Sequence, residues 1–215
     1  MMLTLMAMMV CIFVGIANER ARVSGTDEAL QKTILVFMVV ITIFGGVMID
    51  AASGYSTNAG SVFYAGVLAL QYIIMRRFGW EAGLKCVVST FVSLIMLVIT
   101  MAVMAELSGS DELGRAYALV IETSRRVTVA SFVAFASGQL VFVVIYKALQ
   151  KMPTSVAYGA NIVVVQAVDS AIFYPIAFGF DKMGLGSMLS GYAIKVGIGL
   201  LAMPLLSLAT RRHAT

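Results

Sequence analysis

An aspartate at the centre of an apolar run is the first residue of this chain that could do chemistry. Asp169 sits in "VVVQAVDSAIFYPIAF", residues 163–178, with Gln166 three positions before it and Asn161 eight before it. At about 100° per residue these three fall within roughly 140° of one another on a helix, forming one polar stripe. A carboxylate accepts two parallel N–H donors, and carboxamides donate to a carbonyl while accepting elsewhere. Lys195 is a second ionisable residue deep in an apolar run. Such residues cost on the order of a few kcal/mol in hydrocarbon, and they persist where they pair, face a bundle interior or meet a solute. Asp169 and Lys195 can pair to hold two helices together, and they can line a cavity for a polar solute. The two roles are compatible.

Further candidates precede this stripe in "RVTVASFVAFASGQLVF", residues 126–142. Gln139 can contact a ligand or bond between helices. Ser131 lies among small residues that let backbones approach closely. Arg126 is a helix-start charge, or it attracts an electron-rich group. Asp50 and Arg76 lie near the ends of apolar runs, where a side chain can reach the interface. Pro175 frees a carbonyl one turn back, near Ala171. Other chemistries are poorly served. The single histidine, His213, is two residues from the end of the sequence, and Cys11 and Cys86 form no metal or redox spacing. No phosphate-binding loop is present. Neither a metal nor another cofactor is expected, and an enzyme is not.

The elements that hold these residues follow from composition. The chain has 215 residues, 60% hydrophobic and 12% charged, with mean hydropathy +0.96. Soluble domains are roughly 45–50% apolar and about 25% charged, so lipid must cover part of this chain. Apolar runs at 1–17, 33–50, 58–75, 86–104, 127–146, 155–179 and 184–209 predict seven transmembrane helices, six being the alternative count. The fold class is therefore an all-α integral membrane protein, a compact bundle forming one transmembrane domain over residues 1–215. The longest connection, 105–126, reads as an extramembrane loop with a short interfacial helix. Ten lysines and arginines flank the runs on one side and four on the other. This predicts an outside N-terminus and a cytoplasmic C-terminus. "SFVAFASGQLVF" (131–142) and "GANIVVVQAVDS" (159–170) echo each other weakly, as internal repeats in transporters do.

Taken together, these residues resemble the queuosine precursor transporters, also called vitamin uptake transporters, from about residue 57 to 208. The family's fifth-helix pattern is matched by Arg126, Ala130, Ser131 and Gln139. Its sixth-helix pattern is matched by Asn161, Gln166, Asp169, Ser170 and "IAF" at 176–178, and its last helix by Lys195 and Pro204. "FGWEAGLK" (78–85) is similar to a further family segment. The resemblance implies a helical importer of 7-deazaguanines in the cell inner membrane. Its partners would be a purine-like small molecule and the bilayer, without nucleic acid, and the sequence allows a homodimer. Two expected acids are replaced, by Tyr72 and Phe142, and Arg76 stands where a glutamate is common. Asp169 would then read the paired N–H donors of the heterocycle. Gln166, Gln139 and Asn161 would meet its carbonyl, and Tyr72, Phe142 or Tyr174 would stack on the ring, a contact worth roughly 1–3 kcal/mol per base. The alternative is a substrate-binding subunit for another vitamin- or purine-like solute, dependent on a separate energising module.

Overall fold

The computed structural model of the protein describes residues 2–44, 48–51, 55–107, 112–179 and 185–204. Seven helices form there: α1 (Met2–Ser24), α2 (Glu28–Phe44), α3 (Ala59–Phe78), α4 (Trp80–Leu107), α5 (Glu112–Leu149), α6 (Thr154–Phe178) and α7 (Leu185–Leu201). Local chemistry sets their ends. Gly79, at φ +91°, turns the chain between α3 and α4 in a single residue. α6 opens after Pro153, whose carbonyl receives the Ala157 N–H at 3.0 Å. It closes at Gly179, φ +74°, whose N–H returns to the Pro175 carbonyl at 2.9 Å. Only glycine adopts these left-handed angles without steric cost. α6 runs through Pro175 without ending there.

α3 is the axis. Residues 60–75 are buried without a break, so it shows no polar face, as expected of a helix enclosed by others. α1, α2, α4 and α7 pack around it, and α5 and α6 share the most extensive interface of the bundle. A β-carbon on Gly66 would come within 2.7 Å of both Phe37 and Val10, so α1 and α2 approach α3 as closely as glycine permits. The periphery is apolar. Leu5, Met8 and Ile12 on α1, and Val88, Val92, Ile95 and Ile99 on α4, all point outward. Among the described residues, four helical segments are long and apolar enough to cross a membrane: Thr4–Ser24, Trp80–Thr100, Val129–Leu149 and Thr154–Phe178.

The structure departs from the sequence reading at two places. The run 33–50 is not helical to its end: α2 stops at Phe44, and Met48–Ala51 (β1) pairs antiparallel with Tyr55–Asn58 (β2). Asp50 therefore stands in a hairpin opposite Ser56, not at a helix end. "YSTN" carries an aromatic and a β-branched residue, which favour strand. The architecture is thus helical with one small hairpin. Second, residues 112–126 are not loop but the first turns of α5, a 38-residue helix. At about 1.5 Å per residue α5 is roughly 57 Å long, well beyond a hydrocarbon core of about 30 Å. Its apolar segment starts at Val129, and residues 112–126 precede it. Of the run 184–209, residues 185–201 form α7, and the expected continuation over 205–209 and the C-terminal tail lie outside the described residues.

Candidate functional site

The two charges expected deep in the bundle meet. Lys195 Nζ donates to Asp169 Oδ2 at 2.7 Å, joining α7 to α6, with the residues 3% and 7% exposed. The ammonium also lies 5.3 Å from the ring centroids of Phe173 and Tyr174, which present their negative faces to it. α6 can place Asp169 inward because its buried positions include Ala157, Asn161, Val165, Asp169 and Phe173, a stripe at helical spacing.

This pair lines a partly open cavity of about 90 Å³. One water needs roughly 10–15 Å³ on that measure, so several waters or part of a small solute fit. Ser61 and Tyr64 of α3 and Ser131 of α5 complete its polar wall. Phe135, Phe173 and Leu94 form the apolar wall. A flat, mixed-polarity solute would find both a hydrogen-bonding edge and aromatic faces there. The cavity belongs to one half of the bundle, toward the end where α3 begins and α6 finishes, and β2 packs against α7.

Beyond it lies a buried polar layer. Gln139 is 3% exposed, and its amide flanks the Tyr64 hydroxyl without a hydrogen bond of normal geometry. Gln166 and Asn161 are fully buried; Asn161 Nδ2 donates to the Phe142 carbonyl at 3.2 Å. The opposite end of the bundle is closed by packing. Tyr72 meets Tyr146 and Tyr158 edge-on, with centroids 5.6 and 5.1 Å apart. Tyr146 donates to the Met75 carbonyl at 2.8 Å and Tyr158 to the Gly199 carbonyl at 3.1 Å. Arg76 clamps the turn between α5 and α6, donating to Gln150 O at 2.7 Å and Thr154 Oγ1 at 3.0 Å.

A family model for vitamin uptake transporters matches residues 58–209, more than half of the chain. The chain belongs to that family. No curated protein and no solved structure matches it. The vitamin uptake transporter match begins just before α3 and takes in every residue of the cavity wall except those of α2.

The residues singled out in the sequence separate into four places in this transporter-family bundle. Asp169, Lys195 and Ser131 share the cavity. Gln139, Gln166 and Asn161 lie in the polar layer. Tyr72 and Phe142 are fully buried in side-chain packing and do not line the cavity. Arg126 is exposed, and its Nε donates to the Ile176 carbonyl at 2.8 Å, tying α5 to the last turn of α6. Sequence reading passed over Ser61, Tyr64 and Gln71. Each is polar within the apolar run 58–75, the same signal that drew attention to Gln139 and Gln166.

Proposed function

We propose that this protein imports a queuosine precursor, a 7-deazaguanine such as 7-cyano-7-deazaguanine, its aminomethyl analogue or queuine, across the inner membrane. In this reading α2, α3 and α7 join the four long apolar segments to make seven spans. The N-terminus is outside, and the Arg76 end faces the cytoplasm. The observation that carries the proposal is the buried Asp169–Lys195 pair opening onto a cavity walled by serine, tyrosine and aromatic side chains. A pair serving only to join helices needs no cavity.

The division of labour follows from hydrogen-bonding capacity. A 7-deazaguanine presents its ring N–H and exocyclic amine side by side, and the Asp169 carboxylate accepts both. Lys195, released from part of its bond to Asp169, donates to the solute's carbonyl or nitrile. Ser131 supplies a further polar contact, and Phe173 or Phe135 stacks on the ring. Gln166, Gln139 and Asn161 receive the solute deeper in the bundle. Movement then requires the cavity to close and the Tyr72–Tyr146–Tyr158 packing to part, the alternating exposure that transporters use.

The test is rescue of a bacterial strain that lacks its own importer and its own synthesis of the precursor, scoring queuosine in transfer RNA after feeding each of the three compounds. Wild type is expected to restore the modification. Asp169→Asn, at equal membrane abundance, is expected to lower it at least about tenfold, the loss of one charge-assisted contact of roughly 1.5–3 kcal/mol. No rescue by well-expressed wild type with any of the three would sink the substrate assignment.

A further inference from the structure

Two core helices carry carboxamides that the folded chain leaves unanswered. Gln71 on α3 and Gln166 on α6 are both 0% exposed, and neither amide oxygen nor nitrogen of either has a hydrogen-bond partner in the protein. Ser170 Oγ and Asn161 Oδ1, on the same helix as Gln166, are in the same condition. Buried polar groups are overwhelmingly hydrogen-bonded, and leucine would fill such positions without this penalty. Orphaned carboxamides on two core helices therefore point to a polar occupant.

The region has a roof and a floor. At its roof the Tyr64 ring packs 5.9 Å from Phe135, and a β-carbon on Gly138 would lie 3.0 Å from the Tyr64 hydroxyl and 3.5 Å from Val165. α3, α5 and α6 thus converge there. At its floor Tyr72, Tyr146 and Tyr158 bring the same three helices together again. Tyr64 and Tyr72 are eight residues apart, so the layer between them is about 12 Å deep. Gln71 lies within it, seven residues beyond Tyr64 and so on the same face of α3. Gln139 follows Gly138, Gln166 follows Val165, and Asn161 reaches the Phe142 carbonyl within the same layer.

The chemistry of the groups selects the occupant. A carboxamide holds one acceptor and one donor side by side in a plane, and a lactam edge presents C=O and N–H in the matching order. The same logic lets a glutamine read a nucleobase through paired bonds. A cation would satisfy only the oxygens, an anion only the nitrogens, and an apolar solute neither.

We infer that Gln71 and Gln166 form an inner binding site for the lactam edge of a planar, uncharged heterocycle, entered from the cavity past the Asp169–Lys195 pair. The inference rests on the proposal that the cavity admits such a solute, and it adds Gln71 as a specificity-determining residue. A solute moving inward exchanges the carboxylate of the outer cavity for the carboxamides of the inner site.

The experiment uses the purified full-length protein in detergent, titrated with 7-deazaguanine and with 2-amino-7-deazapurine, which lacks the ring carbonyl. Wild type is expected to favour the lactam by at least about tenfold, the discrimination one bidentate contact provides. Gln71→Leu and the closer isostere Gln71→Met are expected to reduce that ratio to within about threefold. Because they remove unanswered polar atoms, their ligand-free melting temperature should equal or exceed that of wild type. An unchanged ratio in both variants overturns the inner site and leaves the Asp169 reading intact. A fall in melting temperature in both overturns it too, by making Gln71 a structural residue. Failure of wild type to bind either compound overturns this inference and the proposed substrate together.

Discussion

Removing one member of the Asp169–Lys195 pair is expected to destabilise the protein more than removing both. Lys195→Met leaves a carboxylate 7% exposed with its closest cation gone. Asp169→Asn does the reverse to the ammonium. Losing one partner of a buried pair typically costs about 3–5 kcal/mol, whereas replacing the whole pair by apolar groups of similar volume is often neutral. Each single variant should therefore melt well below wild type in detergent, and Asp169→Leu/Lys195→Met should recover most of the loss. Uptake should behave differently. If the charges meet the solute, the double variant stays at least about tenfold below wild type despite its restored stability. A stable double variant that transports normally would reduce the pair to a staple between α6 and α7.

The second large effect is expected at the closed end. Arg76 joins α3 to the α5–α6 turn through Gln150 O and Thr154 Oγ1, beside the bond from Tyr72 Oη to Thr154 O at 3.4 Å. In the proposed alternating exposure these contacts break when that end opens, so their loss favours the opposite state. Even at about 1 kcal/mol apiece, two lost bonds shift a two-state equilibrium roughly thirtyfold. The reporter is Val98→Cys in the cavity wall, with Cys11 and Cys86 replaced by alanine. An impermeant thiol reagent added to intact cells should label it readily, and adding Arg76→Ala should slow that labelling about tenfold or more. Equal labelling rates would show that Arg76 does not hold the bundle shut.

The parts of the molecule legible in the sequence were those where polarity breaks an apolar pattern. Asp169 and Lys195 were conspicuous because charge inside a span has few tolerable explanations, and each turned out to be the other's partner. The helices were legible because long apolar runs in lipid leave the backbone little alternative to helix. Gln71 was equally conspicuous in kind, a carboxamide between Leu70 and Tyr72. It went unread because the resemblance to a known family directed attention to Tyr72, its neighbour. The ends of elements were less legible. "MIDA", residues 48–51, follows the apolar helix within one hydrophobic run, and its pairing with "YSTN" is a tertiary event that hydropathy does not encode. The extension of α5 back to Glu112 was hidden because residues 112–126 mix charge with apolar residues, which suits a loop, a surface helix or the start of a long one. Arg126 shows the same limit: its position was known, but its bond to the Ile176 carbonyl depends on how α5 and α6 cross.

The most direct test of the account is uptake of labelled 7-cyano-7-deazaguanine into liposomes containing this protein alone, with Asp169→Asn beside it. The account predicts saturable entry by wild type, inhibited by unlabelled 7-deazaguanine and lowered at least about tenfold in the variant. Binding without entry would make the chain a capture subunit that needs a separate energising module. Absence of both binding and entry would contradict the account.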